Sequence, residues 1–129
     1  MLKFALIGLL LLSAEPQRIS IQTPGRFAFA PADWWVRVKV EPHAENRWLE
    51  VSVDGPSHYR ATGFDLEGDK APKIHQWWIK ALPPGCYTFT AILRATGEHG
   101  RILARATGQK LAVVGMGDDD PCGFSADVR

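Results

Sequence analysis

The chain has 129 residues, of which 46% are hydrophobic and 22% are charged, with 15 Lys and Arg against 14 Asp and Glu. This length and composition fit one globular domain and exclude a disordered chain. The net charge of +1 excludes a strongly basic nucleic-acid-binding protein. The two cysteines are too few for a Cys-only zinc site or a scaffold with several disulfides.

The N-terminus has the order of a secretory signal peptide. Lys3 supplies a positive start, an apolar run follows at residues 4–12, and Ser13 and Ala14 precede a polar stretch. The run is too short to span a bilayer, so residues 1–14 are predicted to direct export, with cleavage after Ala14. The alternative is a buried first strand or helix of the domain. If cleavage occurs after Ala14, it removes Lys3 and no acidic residue, so the mature chain would have no net charge and no membrane span. A neutral chain is not attracted over long range to nucleic acid or to anionic lipid.

From residue 18 onward, apolar and polar residues alternate with a period of two, which is typical of half-buried strands. Glycine- and proline-containing turns separate these runs every dozen residues or so. The pattern predicts an all-β, antiparallel sandwich of about seven or eight strands at residues 15–114, followed by a tail at 115–129.

Residues 82–91 read Leu-Pro-Pro-Gly-Cys-Tyr-Thr-Phe-Thr-Ala. This stretch resembles the start of the penultimate strand in bacterial immunoglobulin-like and fibronectin-III-like domains of exported proteins. The resemblance implies an immunoglobulin-like β-sandwich in which residues 18–22 and 27–31 form strand A, split by a kink. Strands B, C, C′ or D, E, F and G would then cover residues 34–42, 47–54, 59–66, 74–82, 86–95 and 101–114. It also implies that Tyr87 forms a tyrosine corner, in which the hydroxyl bonds to nearby backbone. Transthyretin-like modules share the phrase, so it indicates the class of fold more than the strand topology. Strand B has no Cys and the Cys–Trp–Cys spacing of antibody domains is absent, so an antibody-like or receptor function is not implied.

Cys86 and Cys122 are the two cysteines of the chain. In an exported protein a lone pair is most simply one disulfide. The bond would close a loop of about 37 residues and stabilise the fold by about 4 kcal/mol on the chain-entropy account. It would also hold the tail at 115–129 across the end of the sandwich. The alternative is two free thiols with a redox role, but the sequence has no Cys-x-x-Cys pair.

Catalytic and metal-binding residue types do not form a known motif. The histidines, His43, His58, His75 and His99, are fifteen or more positions apart, so they are predicted to be surface or capping residues. The three Asp residues at 118–120 lack the alternation of a calcium loop, which favours a solvated acidic turn. No nucleophile elbow, P-loop or dinucleotide fingerprint is present. The sequence therefore predicts no enzyme, cofactor or metal, with a small hydrolase of unknown type as the enzymatic alternative.

Two pairs of adjacent tryptophans are the strongest functional lead. Neighbouring residues of a strand point to opposite faces of a sheet, so each pair places one ring on either face. In the first pair, Trp35 is predicted to point outward with Arg37 and Lys39. Trp34 is predicted to point inward with Val36 and the two valines that follow it at alternate positions.

The second pair lies in the strand predicted at 74–82. Trp77, Ile79 and Ala81 are predicted to point inward along this strand. Trp78 is predicted to point outward beside Lys80.

Strands B and E are neighbours in immunoglobulin-like sheets, so the resemblance implies that Trp35 and Trp78 form one exposed aromatic surface. Trp48 is also predicted to face outward, on the opposite sheet. These three tryptophans form the predicted contact surface, because exposed groups of large rings usually mark a site of contact. Three alternatives stay open. The rings stack on each other and on Lys or Arg stems, the tail at 118–129 or the segment at 27–29 covers them, or a β-bulge reverses the alternation.

The combined prediction is an exported, non-catalytic immunoglobulin-like module. It would mediate protein interaction, self-association or structural assembly at the cell surface, in the periplasm or outside the cell. The alternative is a carbohydrate-binding module in which sugar rings stack on the exposed tryptophans. Neither prediction involves a cofactor or a nucleic acid.

Overall fold

The computed structural model describes residues 18–117 and 119–124, so the predicted signal peptide lies outside the described residues. This part of the chain forms nine strands and one turn of 3₁₀ helix at Gly68–Lys70. Within it, no helix has the length and apolar character needed to cross a membrane. The strands are β1 (Ile19–Gln22), β2 (Phe27–Phe29), β3 (Ala32–Val40), β4 (Trp48–Asp54), β5 (Tyr59–Asp65), β6 (Ile74–Leu82), β7 (Gly85–Arg94), β8 (Ile102–Thr107) and β9 (Leu111–Val114).

The strands form two sheets that pack face to face. The smaller sheet has the order β1-β3-β6, and the larger has the order β2-β9-β7-β4-β5, with β8 also paired to β7. In immunoglobulin lettering these are A-B-E and A′-G-F-C-C′. The predicted all-β, immunoglobulin-like sandwich is therefore confirmed. The strand that the sequence left as C′ or D pairs with β4, so it is C′.

Two details differ from the predicted strands. The region 101–114 forms two strands, β8 and β9, separated at residues 108–110. Both strands pair with β7 in the same direction, with a one-residue offset in register between them. The interruption begins at Gly108, whose N–H donates to the carbonyl of Phe89 at 3.0 Å, and a Cβ there would lie 2.9 Å from Cγ2 of Ile21. Strands β2 and β9 run parallel. Over residues 18–117 and 119–124 the sandwich therefore has nine strands and one parallel pair.

The core lies between the facing sides of the two sheets, and the alternation of the sequence produces it. Along β3, Val36, Val38 and Val40 are buried, whereas Arg37 and Lys39 between them are exposed. Burial of each such side chain contributes about 1.5–3 kcal/mol. Strands β4 and β7 supply the opposite side of the core in the same way. Their buried residues are Leu49, Val51, Val53, Tyr87, Phe89, Ala91 and Leu93.

Asn46 is a buried polar residue in the loop between β3 and β4. Its Nδ2 donates to the carbonyl of Glu41 at 2.9 Å, and its Oδ1 accepts from Nη2 of Arg18 at 3.0 Å. Both ends of the amide are thus engaged, as burial requires. These bonds fix the loop by which the chain passes from the smaller sheet to the larger one.

Candidate functional site

Trp35 and Trp78 lie side by side on the outer face of the smaller sheet. They are opposed residues in the antiparallel pair of β3 and β6. A cation lies over each ring: Arg37 Cζ is 4.4 Å from the Trp35 ring centroid, and Lys80 Nζ is 5.5 Å from the Trp78 ring centroid. Trp78 is 51% exposed, and Trp35 is half-buried. The structure thus brings two of the three predicted contact residues together on one surface.

Polar contacts hold the cations of this surface in place. Arg37 Nε donates to Gln76 Oε1 at 2.7 Å, and Lys80 Nζ lies 3.7 Å from Asp33 Oδ2. These side chains are exposed, so each contact contributes little to stability. Their joint effect is a positively charged surface around two indole rings. We call the surface formed by Trp35, Arg37, Lys39, Gln76, Trp78 and Lys80 the tryptophan face.

A β-bulge interrupts the pairing of β3 and β6 next to Lys80. The register shifts between Ala32 and Trp34, and Asp33 Oδ1 accepts a hydrogen bond from the N–H of Ala81 at 2.9 Å. Ala81 has a φ of +53° and is exposed. The prediction that Ala81 points inward is therefore wrong, because the extra residue of a bulge changes the direction of the side chains that follow.

Trp34 and Trp77 are the other members of the two adjacent pairs. Both are half-buried and pack against the core cluster. Nε1 of Trp34 is buried and has no hydrogen-bond partner within the described part of the chain. Each adjacent pair therefore divides its two rings between the core side and the outer face of the smaller sheet.

Trp48 lies on the other sheet, at the start of β4. It is half-buried, and its indole lies across Gly63, where a Cβ would be 2.0 Å from Cζ2 of Trp48. Gly63 is two residues from Asp65, which is the residue opposite Trp48 on β5. The indole therefore covers a diagonal neighbour on the adjacent strand. Trp48 does not join Trp35 and Trp78, because the two sheets separate them.

Tyr87 lies near the start of β7 with its ring buried. Its hydroxyl donates to the carbonyl of Pro83 at 2.6 Å, which is the arrangement of a tyrosine corner. Gly55 lies against the ring, since a Cβ there would be 2.5 Å from Cε1 of Tyr87. Burial raises the pKa of Tyr87, and the charge of Arg60 opposes this effect. The hydroxyl therefore keeps the proton that it donates.

The tail is held against the larger sheet. Cys86 and Cys122 form a disulfide, which confirms the predicted pairing. Cys86 is opposite Ala112 on β9, and Ala112 is in turn opposite Phe27 on β2. The ring of Phe124 meets that of Phe27 edge to face at a centroid distance of 5.4 Å. The described part of the tail thus lies on the β2-β9-β7 side of the larger sheet and does not cover the tryptophan face.

All four histidines and both cysteines lie within the described residues, and they do not assemble a metal site. In this part of the chain, no three His, Cys, Asp or Glu side chains are grouped so as to hold a metal ion. The disulfide occupies both thiols. His43 and His99 lie in loops, His58 packs edge-on to Tyr87 at a centroid distance of 6.5 Å, and His75 lies in β6.

Asp120, the last residue of the acidic run at 118–120, forms part of a turn. Residue 118 lies outside the described residues. Asp120 Oδ1 accepts hydrogen bonds from the N–H groups of Cys122 at 2.9 Å and Gly123 at 3.2 Å. A side chain that bonds to the backbone two residues on stabilises a local turn.

No family model and no curated protein matches this chain. Among solved structures, a superoxide reductase (neelaredoxin) from Ignicoccus hospitalis aligns with a TM-score of 0.54 and 20% identity, covering 76% of this chain and 81% of that one. A variant of the same protein aligns with a TM-score of 0.55 and 22% identity, covering 78% and 83%. A CARDB domain from Pyrococcus furiosus, in complex with di-metal ions, aligns with a TM-score of 0.47 and 18% identity, covering 74% and 85%.

The comparison contradicts the function predicted from the sequence. A sandwich of this architecture occurs in a protein named as a superoxide reductase, so the inference that such a fold is non-catalytic fails. The prediction that the chain is a non-catalytic module, whether for protein interaction or for carbohydrate binding, is therefore wrong. At such low identity the likeness shows architecture and no activity. By fold, this chain is an immunoglobulin-like β-sandwich of the same architecture as these superoxide reductases.

Proposed function

We propose that this chain binds a protein partner through the tryptophan face. The observation that carries the proposal is the half-exposed ring of Trp78, which lies opposite Trp35 on the neighbouring strand. Lys80 lies over the Trp78 ring and Arg37 lies over the Trp35 ring. The proposal concerns the binding surface alone and excludes no catalytic activity of the chain.

The composition of the tryptophan face supports this proposal. Trp and Arg are enriched among the residues that contribute most to protein interfaces. Burial of apolar surface contributes about 25 cal/mol per Å², and Trp78 offers a large ring that is already half-exposed. Because Arg37 and Lys80 lie over the rings, the side chains are held in place before a partner arrives. Less conformational entropy is then lost on binding.

The disulfide bond of the chain supports a location outside the cytoplasm. The disulfide between Cys86 and Cys122 is typical of oxidising compartments. The signal peptide predicted at 1–14 points in the same direction. The proposed site of action is therefore the periplasm or the extracellular space, and the proposed partner is a protein that is exported or exposed there.

Photo-crosslinking in the cells that produce the protein tests the proposal. A photoreactive phenylalanine analogue replaces either Gln76, on the tryptophan face, or Ser52, on the outer face of the larger sheet. We expect one cross-linked product of defined mass from position 76 and none from position 52. Trp78→Ala should abolish the product, because it removes the exposed ring.

Phe29→Ala is the matched control, because Phe29 is 81% exposed and lies on the larger sheet. This variant should keep the product from position 76. Equal products from positions 76 and 52, no product from either, or a product that persists in Trp78→Ala would contradict the proposal.

A further inference from the structure

Strand β6 has one edge without a strand partner. Among the described residues, β6 pairs only with β3. The N–H of Val40 donates to the carbonyl of Lys73 at 2.7 Å, and these residues are opposed in the antiparallel register. Hydrogen-bonded pairs therefore recur at every second residue after Lys73. The residues between them, whose N–H and C=O groups point away from β3, are Ile74, Gln76 and Trp78.

Contacts around this edge agree with that assignment. Lys80 continues the same alternation, and its outward carbonyl accepts a hydrogen bond from Arg60 Nη1 at 2.7 Å. Arg60 and the bulge beside Lys80 therefore close one end of the edge. The rest is open, since Ile74 is 48% exposed, Trp78 is 51% exposed and Gln76 is also exposed. Proteins usually protect a long open edge, because it can pair with another chain.

Positive charge beside the open edge of β6 determines which kind of chain can pair with it. Arg37, Lys39 and Lys80 lie on the tryptophan face, with Asp33 as the carboxylate beside Lys80. The Debye length is about 8–10 Å at physiological salt, which spans about two strand spacings. The cations of β3 therefore act on a strand added to β6. A second copy of the chain would bring like charges together, whereas an acidic segment would be attracted.

We propose that β6 receives an extended, acidic segment of the partner as an added antiparallel strand. This inference rests on the proposed function and specifies the chemistry of the partner. Partner residues opposite Ile74, Gln76 and Trp78 form the backbone hydrogen bonds. Their side chains lie on the same side of the sheet as those three residues. Acidic residues at these alternate positions therefore lie on the tryptophan face.

A nine-residue peptide that alternates Glu with Val and Thr is the probe, and tryptophan fluorescence reports its binding. The added strand uses the N–H groups of the Glu residues, because their side chains lie on the tryptophan face. N-methylation of the three central Glu residues should therefore weaken binding by about tenfold or more, since each lost hydrogen bond contributes about 1 kcal/mol. N-methylation of the intervening residues should leave the affinity within about twofold of the unmodified peptide.

Variants of β6 test the same geometry from the protein side. Gln76→Pro removes an edge N–H that β3 does not use, and proline is tolerated on edge strands. Gln76→Ala keeps this N–H but removes the side chain that accepts a hydrogen bond from Arg37, so it measures the side-chain contribution alone. We expect Gln76→Pro to weaken peptide binding more than Gln76→Ala does, with circular dichroism establishing that both fold. If Gln76→Pro does not fold, the two methylated peptides decide the question.

Charge reversal tests the selection of an acidic segment. Lys39→Glu should weaken binding of the unmodified peptide by about tenfold at low salt and by less at about 1 M salt, where screening is strong. Lys110→Glu makes the same change at an exposed position between β8 and β9 and should leave binding within about twofold.

Four results would overturn the inference. They are equal binding of the two methylated peptides, equal binding of a peptide with Gln in place of Glu, a dimer that Gln76→Pro dissociates, and no binding of the acidic peptide. If the cross-linked product from position 76 is present but the peptide does not bind, the proposed function stands and only the acidic-strand inference falls. If both are absent, both proposals fall.

Discussion

His75 lies where β6 approaches the edge strand of the larger sheet. Its ring centroid is 5.2 Å from that of Phe64, and its Nε2 donates to the carbonyl of Pro72 at 2.9 Å. Burial lowers the pKa of His75 below its ordinary value of 6.5, and the hydrogen bond to Pro72 only partly opposes this. The folded protein therefore favours the neutral imidazole.

This shift predicts a loss of stability in mild acid. As the pH falls below about 6.5, His75 takes up a proton in the unfolded chain before it does so in the folded one. The free energy of unfolding should therefore decrease from about pH 6.5 down to the folded-state pKa of His75. Urea denaturation across this range should show a weaker decrease for His75→Gln. His99→Gln, in an exposed loop, should follow the wild type. Identical pH profiles for His75→Gln and the wild type would contradict the prediction.

The direction of individual side chains could be predicted where it depends on local alternation. The valines of β3 set the phase of that strand, and this phase places Trp35 on the outer face. The direction of Ala81 could not be predicted in this way. It depends on the carboxylate of Asp33, which lies 48 residues earlier in the chain. A contact of such long range leaves no trace in the local pattern.

Strand β6 also carries backbone strain at its bulge, and this gives a test by substitution. Ala81 has a φ of +53°, a region that costs a residue with a Cβ about 1–2 kcal/mol. Because Ala81 is exposed, Ala81→Gly loses no packing and should stabilise the protein by about 0.5–1 kcal/mol, net of the added backbone entropy. Ala61→Gly, at an exposed position of β5, is the control and should destabilise it. Chemical denaturation measures both, and a lower unfolding free energy for Ala81→Gly would refute the assigned geometry.

Strand positions were predicted better than strand connections. Alternation located β3, β4, β6 and β7 closely, because each keeps one face in the core. It did not reveal that the last predicted strand divides into β8 and β9 at residues 108–110. The small residue there, Gly108, is required by its close approach to Ile21 on β1. Only the packed structure shows that β1 lies there.

At the scale of the whole molecule, the described part of the tail lies across the outer face of the larger sheet. Ala112 is buried in β9, where the disulfide of Cys86 and the contact between Phe27 and Phe124 lie across the outer face of the larger sheet. The sequence predicted the disulfide from the number of cysteines and the export signal. It did not predict which sheet the tail would meet, since that depends on the position of Phe27.

Replacing both Cys86 and Cys122 with Ser should lower the free energy of unfolding. The chain-entropy account gives about 4 kcal/mol for a loop of this length. Removing both thiols avoids disulfide-linked dimers, so urea denaturation without reductant measures the effect directly. The wild type in reductant should shift in the same direction. An unchanged midpoint for the double variant would show that Phe124 and its neighbours hold the tail without the disulfide.

The amino-acid sequence predicted the fold class of this chain better than it predicted the function. Two-residue alternation is a property of the whole sandwich, so it predicted a β-sandwich, while the resemblance at residues 82–91 supplied the immunoglobulin-like arrangement. Function depends on a few groups that meet in space, and an architecture by itself does not determine which groups these are. The cross-linking and peptide measurements therefore test the role of the tryptophan face directly.

The one-sided pairing of β6 has a consequence for isotope exchange. The amide protons of His75, Trp77 and Ile79 are bonded to β3, whereas those of Ile74, Gln76 and Trp78 point to solvent. Slow and fast deuterium uptake should therefore alternate residue by residue along a single strand. Occupation of the open side would slow the fast set and leave the other unchanged, so six amides suffice to distinguish a bound from an empty edge.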